Sequence, residues 1–210
     1  VPTTAGARRA IETTPGAVEI VPDDVWKKTS AQTLKEVLEY TPGVFVQPKW
    51  GEDTRLSIRG SGLSRNFHMR GIQMYQDGVP INAADGSTDF QELDPTAYRY
   101  VEVYKGANGL RYGTNTLGGV LNFVSPTGYD ADAVQARADV GSFGFNRQQV
   151  STGGVSGDFD GFLTADRLQS EGFRDHSGGY SKRASGNVGW KIDEDLETRF
   201  YVALSDIHQH

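Results

Sequence analysis

The chain has 210 residues, of which 37% are hydrophobic and 23% are charged, so one large or two small domains can each build a buried core. The net charge is −6 and the 21 basic residues are scattered, which argues against a nucleic-acid partner. Cysteine is absent, and this excludes disulfides, thiolate metal sites and cysteine nucleophiles.

Membrane and secretion signals of the helical kind are missing from the sequence. No window approaches the roughly 20 consecutive apolar residues of a membrane-spanning helix. The first residues also lack a basic start followed by an apolar run, so a signal peptide has either been removed or never existed. The 26 glycines, against only 8 prolines, indicate many tight turns and therefore favour β structure.

The first elements in chain order are an extension, a strand and a helix. Residues 1–15 are expected to form an irregular N-terminal extension, and residues 16–21 predict a strand that ends at Pro22. A helix is predicted over residues 31–41, with Thr29 and Gln32 as its capping box. Leu34, Val37 and Leu38 form its apolar stripe. Pro42-Gly43 is the signal that ends it.

Short strands and tight turns are predicted up to about residue 126. Asp77-Gly78 lies between two short apolar runs, which is a strong signal for a hairpin turn. Asp94 followed by Pro95 predicts a capped single turn of helix. The predicted strands of this compact α+β unit are residues 44–46, 56–58, 73–75, 79–81, 100–104 and 119–124.

From Asp132 onward the sequence alternates apolar and polar residues with a period of two, which is typical of long β-strands with two different faces. Short turns at residues 157–160 and 193–195 separate neighbouring strands. The apolar members of the clearest runs are Val134, Ala136, Ala138 and Val140, then Ala184, Val188, Trp190 and Ile192, then Leu196, Phe200, Val202 and Leu204. Two further strands are predicted at about residues 147–155 and 162–169.

These alternating strands are compatible with two architectures. About ten residues with one apolar face are sufficient for a transmembrane β-strand. A soluble antiparallel sandwich with one wet face has the same alternation. A barrel needs at least about eight strands, so in the membrane interpretation we expect this chain to be the first part of a longer one.

Ordered motifs favour the membrane interpretation. Over residues 14–126 the chain resembles the plug domain of TonB-dependent outer-membrane transporters, and the later strands resemble the start of their barrel. The blocks that carry the resemblance are the helix 31–41 with Thr41-Pro42-Gly43-Val44, Ile58-Arg59-Gly60, Asp77-Gly78-Val79-Pro80, Val101-Glu102-Val103 with Lys105-Gly106, Arg111-Tyr112-Gly113 and Gly118-Gly119-Val120.

The resemblance implies a fold and a function. The fold class would be an α+β plug domain over residues 16–127, followed by the first antiparallel transmembrane β-barrel strands over residues 128–210, in a family whose barrels have 22 strands. The function would be active uptake of a ferric chelate across the outer membrane of a Gram-negative bacterium. TonB and outer-membrane lipid would be partners, and no enzyme activity, resident cofactor or resident metal is expected.

A glycine-flanked loop over residues 60–70 is the predicted ligand site, because guanidinium groups pair bidentately with anionic oxygens. Its candidate ligand-binding residues are Arg65, Asn66, His68 and Arg70. In the alternative interpretation, Arg65 and Arg70 are solvated or paired with Asp85 and Asp89. The neighbouring loop adds the candidates Asp85 and Gln91, although its acids are also suited to capping turns.

Two further arginines have a different predicted role. In the resembling family, the residues that correspond to Arg59 and Arg111 pair with barrel glutamates and hold the plug in place. The short apolar segment that pairs with TonB by strand addition has no convincing counterpart in residues 1–9, so we expect it upstream of Val1.

The region 67–86 is most similar to the ferric-citrate branch of the family, which predicts ferric citrate or another ferric siderophore as cargo. Uptake of another small anionic cofactor by the same fold remains an alternative. A soluble β-rich binding module is the competing class. We find no Gly-x-Ser-x-Gly nucleophile motif that would support an enzyme.

Overall fold

The chain divides into two compact units, Val1–Ser125 and Pro126–His210. Among the residues that the structure describes, no helix is both long and apolar enough to cross a membrane. The computed structural model of the protein describes residues 4–49, 51–62, 69–88 and 90–209.

The first unit contains a mixed five-stranded sheet and a separate two-stranded hairpin. In the larger sheet the order is β1-β6-β7-β4-β5, and only β4 and β7 run parallel. The hairpin is formed by β2 and β3. The helices and strands of this unit are α1 (Thr4–Glu12), β1 (Val18–Pro22), α2 (Leu34–Leu38), β2 (Val44–Pro48), β3 (Thr54–Ile58), β4 (Ile72–Gln76), β5 (Val79–Pro80), β6 (Tyr100–Lys105) and β7 (Gly119–Val124).

One face of the larger sheet packs on α2 and the hairpin to form the core of the unit. Trp26 belongs to this core and is completely buried. Burying side chains of this size contributes about 1.5–3 kcal/mol each relative to leaving them exposed. The other members are Val21, Ala31, Leu34, Val37, Leu38, Leu56, Ile58, Met69, Ile72, Met74, Phe90, Leu93, Tyr98, Val101, Val103, Leu121 and Phe123.

The turn chemistry predicted for this unit is confirmed. Asp77 and Gly78 connect β4 to β5 with φ of 52° and 81°, the left-handed backbone that this hairpin turn requires. Asp94 caps the short helix Pro95–Ala97 by accepting a hydrogen bond from the Thr96 amide at 2.9 Å. The predicted strands around both features are also present.

Two expectations for the first unit are wrong. Residues 4–12 are not irregular but form α1, because Ala7 and Ile11, one turn apart, give it a buried face. The capping box of α2 is Thr33 with Glu36, not Thr29 with Gln32, and the helix spans only Leu34–Leu38. Thr29 instead donates its hydroxyl to the carbonyl of Trp26 at 2.8 Å, which completes a preceding turn.

The second unit is a five-stranded antiparallel meander in which each strand pairs with its sequence neighbour. Thr127 and Asp130 form a capped turn ahead of the first strand. The turn between the second and third strands is only Gly157-Asp158, shorter than the predicted 157–160, since Phe159 and Asp160 already pair. The strands are β8 (Gln135–Val140), β9 (Asn146–Ser156), β10 (Phe159–Ser170), β11 (Gly179–Lys191) and β12 (Glu197–Gln209).

The two faces of this meander differ in chemistry, as the alternation predicted. One face, which we call the polar face, is largely buried and carries Arg147, Asp160, Thr164, Asp166, Ser181, Arg183, Asn187 and Arg199. The other, which we call the apolar face, is largely exposed and carries Val140, Val150, Leu163, Val188, Phe200, Val202 and Leu204. The exposure of so many large apolar side chains on one face indicates a surface that contacts an apolar environment rather than water.

Candidate functional site

Three loops of the first unit meet at one end of its sheet, where the parallel strands β4 and β7 begin. They are residues 69–71, 82–88 and 113–118, and we call them the loop cluster. The Gly118 amide donates to the Gly71 carbonyl at 2.7 Å and so joins the first loop to the third. A Cβ on Gly118 would come within 2.5 Å of the Ser61 side chain, so this close approach requires glycine.

Two asparagines tie the loop cluster together. Asn115 accepts from the Gly71 amide at 2.7 Å and donates to the Gly86 carbonyl at 3.3 Å, so that its side chain contacts both other loops. Asn82 accepts from the Met74 amide at 2.7 Å and donates to the carbonyls of Ile72 and Gly86. Because backbone groups are held from both sides, these loops form a rigid platform.

Some of the predicted ligand residues lie on this platform. Arg70 is exposed in the first loop, immediately before Gly71. Asp85 is exposed in the second loop, where one carboxylate oxygen accepts from the amide and the hydroxyl of Ser87 at 2.9 and 2.6 Å. Gln91 is half-buried in the short helix Phe90–Glu92 that follows. The candidates Arg65, Asn66 and His68, together with Asp89, lie outside the described residues.

The cations at the end of β6 form a second group. Lys105 is buried and its Nζ lies 2.7 Å from Glu19 Oε2. Arg59 is exposed, and its Nη1 lies 3.5 Å from the position that a Cβ on Gly106 would take. Arg111 is also exposed and covers the rings of Tyr104 and Tyr112 at 5.6 and 5.3 Å. Among the described residues, neither arginine lies within ion-pair distance of a carboxylate.

The guanidinium group of Arg111 packs on a cluster of three tyrosines. The rings of Tyr75 and Tyr104 each lie about 5 Å from that of Tyr112, and the Tyr75 hydroxyl donates to the Tyr112 carbonyl at 2.7 Å. Burial raises the pKa of Tyr104 far above its usual value, and contacts with Tyr112 and Glu102 act in the same direction. Burial also raises the pKa of Tyr112. These phenols therefore stay neutral at physiological pH and contribute hydrogen bonds and tilted or edge-on ring contacts.

In the second unit, an ion-pair network holds the segment that leads into β8. Arg199 forms a bidentate pair with Asp160 at 2.6 and 2.9 Å and also donates to Asn187 Oδ1 at 2.7 Å. Asp160 in turn accepts from the Gly128 amide at 2.9 Å, and Asn187 donates to the Pro126 carbonyl at 2.9 Å. We call this network the 126–128 anchor.

Sequence reasoning missed the residues that organise these groups. Asn115 has φ of 60°, and its position between Gly113 and Gly118 was the available signal, because asparagine tolerates the left-handed conformation in turns. The pairing of Asp160 with Arg199 had no such signal. The two residues are far apart in sequence and meet only through the register of the meander.

Comparison with known proteins assigns the fold to a class. Residues 10–120 match the model of the TonB-dependent receptor plug domain family. The chain belongs to this family, and the predicted fold class, a plug domain followed by antiparallel strands, is confirmed.

Individual relatives place the chain within longer receptors. It is 31% identical over 153 residues to the ferric-pyoverdine M114 receptor PbuA of Pseudomonas sp. (strain M114), covering 71% of this chain and 17% of that protein. It is 28% identical over 126 residues to the vitamin B12 transporter BtuB of Vibrio vulnificus (strain CMCP6), covering 60% and 20% respectively. The chain therefore spans about a fifth of the length of these curated relatives.

A solved structure shares the fold of nearly the whole chain. The ferripyoverdine receptor of the Pseudomonas aeruginosa outer membrane, bound to ferripyoverdine, superposes with a TM-score of 0.70 at 19% identity. The match covers 92% of this chain and 25% of the receptor. Both units therefore have counterparts in an outer-membrane receptor.

Proposed function

We propose that this chain is the plug domain and opening barrel strands of a TonB-dependent receptor that takes up a ferric chelate across the outer membrane of a Gram-negative bacterium. The observation that carries the proposal is the family membership of residues 10–120 together with the rigid loop cluster that this domain presents. The energy for uptake would come from the inner-membrane proton gradient and reach the receptor through TonB, so the proposal requires no nucleotide site.

The second unit supports an outer-membrane location. Its apolar face is exposed along strands of up to 13 residues, enough to cross the roughly 25 Å apolar band of an outer membrane. Phe159 and Trp190 stack at one end of this face, with ring centroids 5.8 Å apart. Aromatic residues at the edge of an apolar band are typical of membrane interfaces.

The ligand would be recognised by cations on the loop cluster. Arg70 is exposed beside a backbone fixed by Asn115, so its guanidinium can receive an anionic oxygen of the chelate without reorganising the loop. We propose the same role for Arg65, with Asn66, His68, Asp85 and Gln91 completing the polar surface. Arg59 and Arg111 are assigned to plug–barrel ion pairing.

Ferric citrate, or another ferric siderophore with acidic arms, is the proposed cargo. Relatives that bear the names ferric-pyoverdine receptor and ferripyoverdine receptor support an iron chelate in general. The relative named vitamin B12 transporter keeps uptake of a different cofactor as the second candidate.

Ligand binding by the full-length receptor tests the proposal. Ferric citrate, a ferric pyoverdine, iron-free citrate and vitamin B12 would be titrated against the wild type and the Arg65→Ala and Arg70→Ala variants. We expect one ferric chelate to bind best and each substitution to weaken its binding by at least about tenfold, as loss of a charge-assisted hydrogen bond costs roughly 1.5–3 kcal/mol.

Arg8→Ala is the matched control, because Arg8 lies on the exposed side of α1 and its loss removes the same charge. Unchanged affinity for every ligand in both loop variants would disprove the assigned binding site. Preferential binding of vitamin B12 would instead favour the second candidate.

Cell fractionation tests the location independently of the ligand. A closed barrel resists detergent until it is boiled, so the full-length protein should migrate faster unboiled than boiled and should fractionate with the outer membrane. A soluble β-rich module would show neither property.

A further inference from the structure

Two cations lie directly opposite each other on the apolar face of the meander. Arg167 on β10 pairs in register with Lys182 on β11, and both side chains are exposed. Side chains directly opposite on one sheet face have Cβ atoms about 5 Å apart, so two like charges there repel. The antiparallel pairing itself does not require charge at either position, and an anion between them would remove the repulsion.

The contacts around the two cations leave them open to solvent. Lys182 Nζ lies 3.8 Å from Asp206 Oδ2, in a pair whose side chains are 56% and 62% exposed. Such exposed pairs contribute little. Arg167 donates to Gln169 Oε1 at 3.2 Å, a neutral partner. Lys182 also lies 5.1 Å from the ring centroid of Tyr180.

The cations line a depression of about 850 Å³ at the loop ends of β10 and β11. Tyr180 and His208, whose rings stack 5.6 Å apart, form one side of it. Glu171 also lines the depression, but its carboxyl group packs against Gly144 of the neighbouring loop. Three carboxylates are among the residues that line the depressions at the two cations: Glu171, turned toward Gly144, Asp206, beside Lys182, and Asp166, whose buried side chain lies 3.7 Å from Arg183 on the polar face.

An apolar groove continues from the cations along the same face. Arg167 and Lys182 also line a second depression, in which Ala165 faces Ala184 between Val150 and Leu204. A third follows, where Leu163 faces Gly186 and Gly161 faces Val188. From Arg167 to Gly161 the groove extends roughly 20 Å, at about 3.3 Å per residue.

We propose that this groove binds a phosphorylated lipid of the outer leaflet, with a phosphate between Arg167 and Lys182 and an acyl chain along the small residues below. The inference rests on the proposed outer-membrane location. Charge complementarity selects the anionic headgroup, because guanidinium and ammonium groups both form charge-assisted hydrogen bonds with phosphate. The apolar groove selects a lipid over free phosphate, which would gain nothing from Ala165, Ala184 or Gly186.

Native mass spectrometry of the delipidated full-length receptor tests the site. The probes are bisphosphorylated lipid A, the same lipid with its phosphates removed, and inorganic phosphate. The variant Arg167→Gln/Lys182→Gln removes both charges and keeps polar side chains of similar reach. The control Arg174→Gln/Lys191→Gln removes the same charge outside the groove.

We expect wild type and control to retain phosphorylated lipid A at least about tenfold better than the dephosphorylated lipid, and the groove variant to lose this preference. Equal retention of the two lipids by wild type would overturn the proposal without reference to any variant, so a misfolded variant cannot hide the answer. Inorganic phosphate that binds as tightly as the lipid would overturn it as well.

Failure of this site is distinguishable from failure of the proposed function. If the protein fractionates with the outer membrane and binds its chelate but shows no phosphate preference, only the lipid site is wrong. If it does not enter the outer membrane, the proposed function is wrong.

Discussion

At the scale of single residues, the loop cluster depends on asparagine side chains that form hydrogen bonds with backbone amides and carbonyls of the neighbouring loops. Asn115 supplies an acceptor to Gly71 and a donor to Gly86 while its own backbone has φ of 60°. Asparagine is suited to both tasks, since its amide offers donors and an acceptor and its backbone tolerates this conformation.

Replacing Asn115 should loosen the platform. Asn115→Gly keeps the backbone conformation but removes both side-chain hydrogen bonds, and we expect it to destabilise the local structure by about 1–3 kcal/mol. Hydrogen exchange of the peptide that contains Gly71 should become faster, and chelate affinity should fall. Asn108→Gly, which removes an asparagine from the helix that follows β6, serves as the control. Unchanged exchange near Gly71 would contradict the assigned role.

The neutral tyrosines predict an alkaline limit to stability. The pKa of Tyr104 is raised above its unfolded value of about 10, so the stability it contributes is complete below that pH and is lost as the pH rises above it. Thermal unfolding of the full-length protein from pH about 8 to about 11 measures this loss. Tyr104→Phe, which cannot ionise, should lose less stability over this range than wild type, whereas the exposed Tyr40→Phe should behave as wild type.

At the scale of secondary-structure elements, register decides which polar groups meet. Asp160 lies near the start of β10 and Arg199 near the start of β12. Both pair in register with Gly189 of β11, one from each side, so their side chains meet across this glycine. Their side chains are only 2% and 10% exposed. Removing Asp160 would leave Glu197, 2.8 Å from Arg199 and 33% exposed, as the remaining carboxylate partner of Arg199. Truncating one partner of a buried pair costs more than the pair itself contributes to stability.

The 126–128 anchor should therefore be sensitive to truncation of Asp160. We expect Asp160→Ala to lower the stability of the second unit by about 2–3 kcal/mol, because Arg199 and the Gly128 amide lose an acceptor together while Arg199 keeps its pair with Glu197. Asp206→Ala, which breaks the exposed pair with Lys182, should cost at most about 1 kcal/mol. Urea unfolding of the full-length receptor in lipid vesicles measures both. Similar losses for the two variants would contradict the anchor.

Local signals explain which elements were predictable. Some elements are determined by residues that are adjacent in sequence, and each of these is present. They are the turn at Asp77-Gly78, the capped turn at Asp94-Pro95 and the alternating strands after Asp132. The capping box of α2 was misplaced because Thr29 and Thr33 both precede a suitable residue three positions later. Only the turn that Thr29 makes with Trp26 decides between them. The organising contacts of the loop cluster join residues 29 and 44 positions apart, and no local pattern encodes such pairs.

At the scale of the whole molecule, the sequence combines a domain with an ordinary buried core and a sheet with the opposite arrangement. The core of the first unit is apolar, whereas the second unit buries Arg147, Asp166 and Arg183 and exposes Leu163, Phe200 and Leu204. One chain therefore contains segments suited to two different solvents. The alternation revealed this property, but periodicity alone could not distinguish lipid from water on the exposed face.

This inverted arrangement predicts how the protein should respond to its surroundings. Leu163→Glu places a charge on the apolar face, and near the middle of a bilayer-facing surface such a charge costs up to about 2–4 kcal/mol for arginine or lysine and less for glutamate. We expect the full-length variant to assemble poorly in lipid vesicles, whereas Thr164→Glu on the polar face should assemble better than Leu163→Glu. Fractions folded, read from unboiled gel migration, measure the difference, and equal assembly would favour the soluble module.

The 126–128 anchor also has a mechanical consequence. A chain pulled from its N-terminal side transmits tension through Ser125 to Pro126, whose carbonyl is bonded to Asn187, and then to Gly128, which is bonded to Asp160. Those contacts join residues 126–128 to β10 and β11, which are inner strands of the meander, rather than to an edge strand. The load would therefore be borne by several strands of the sheet at once.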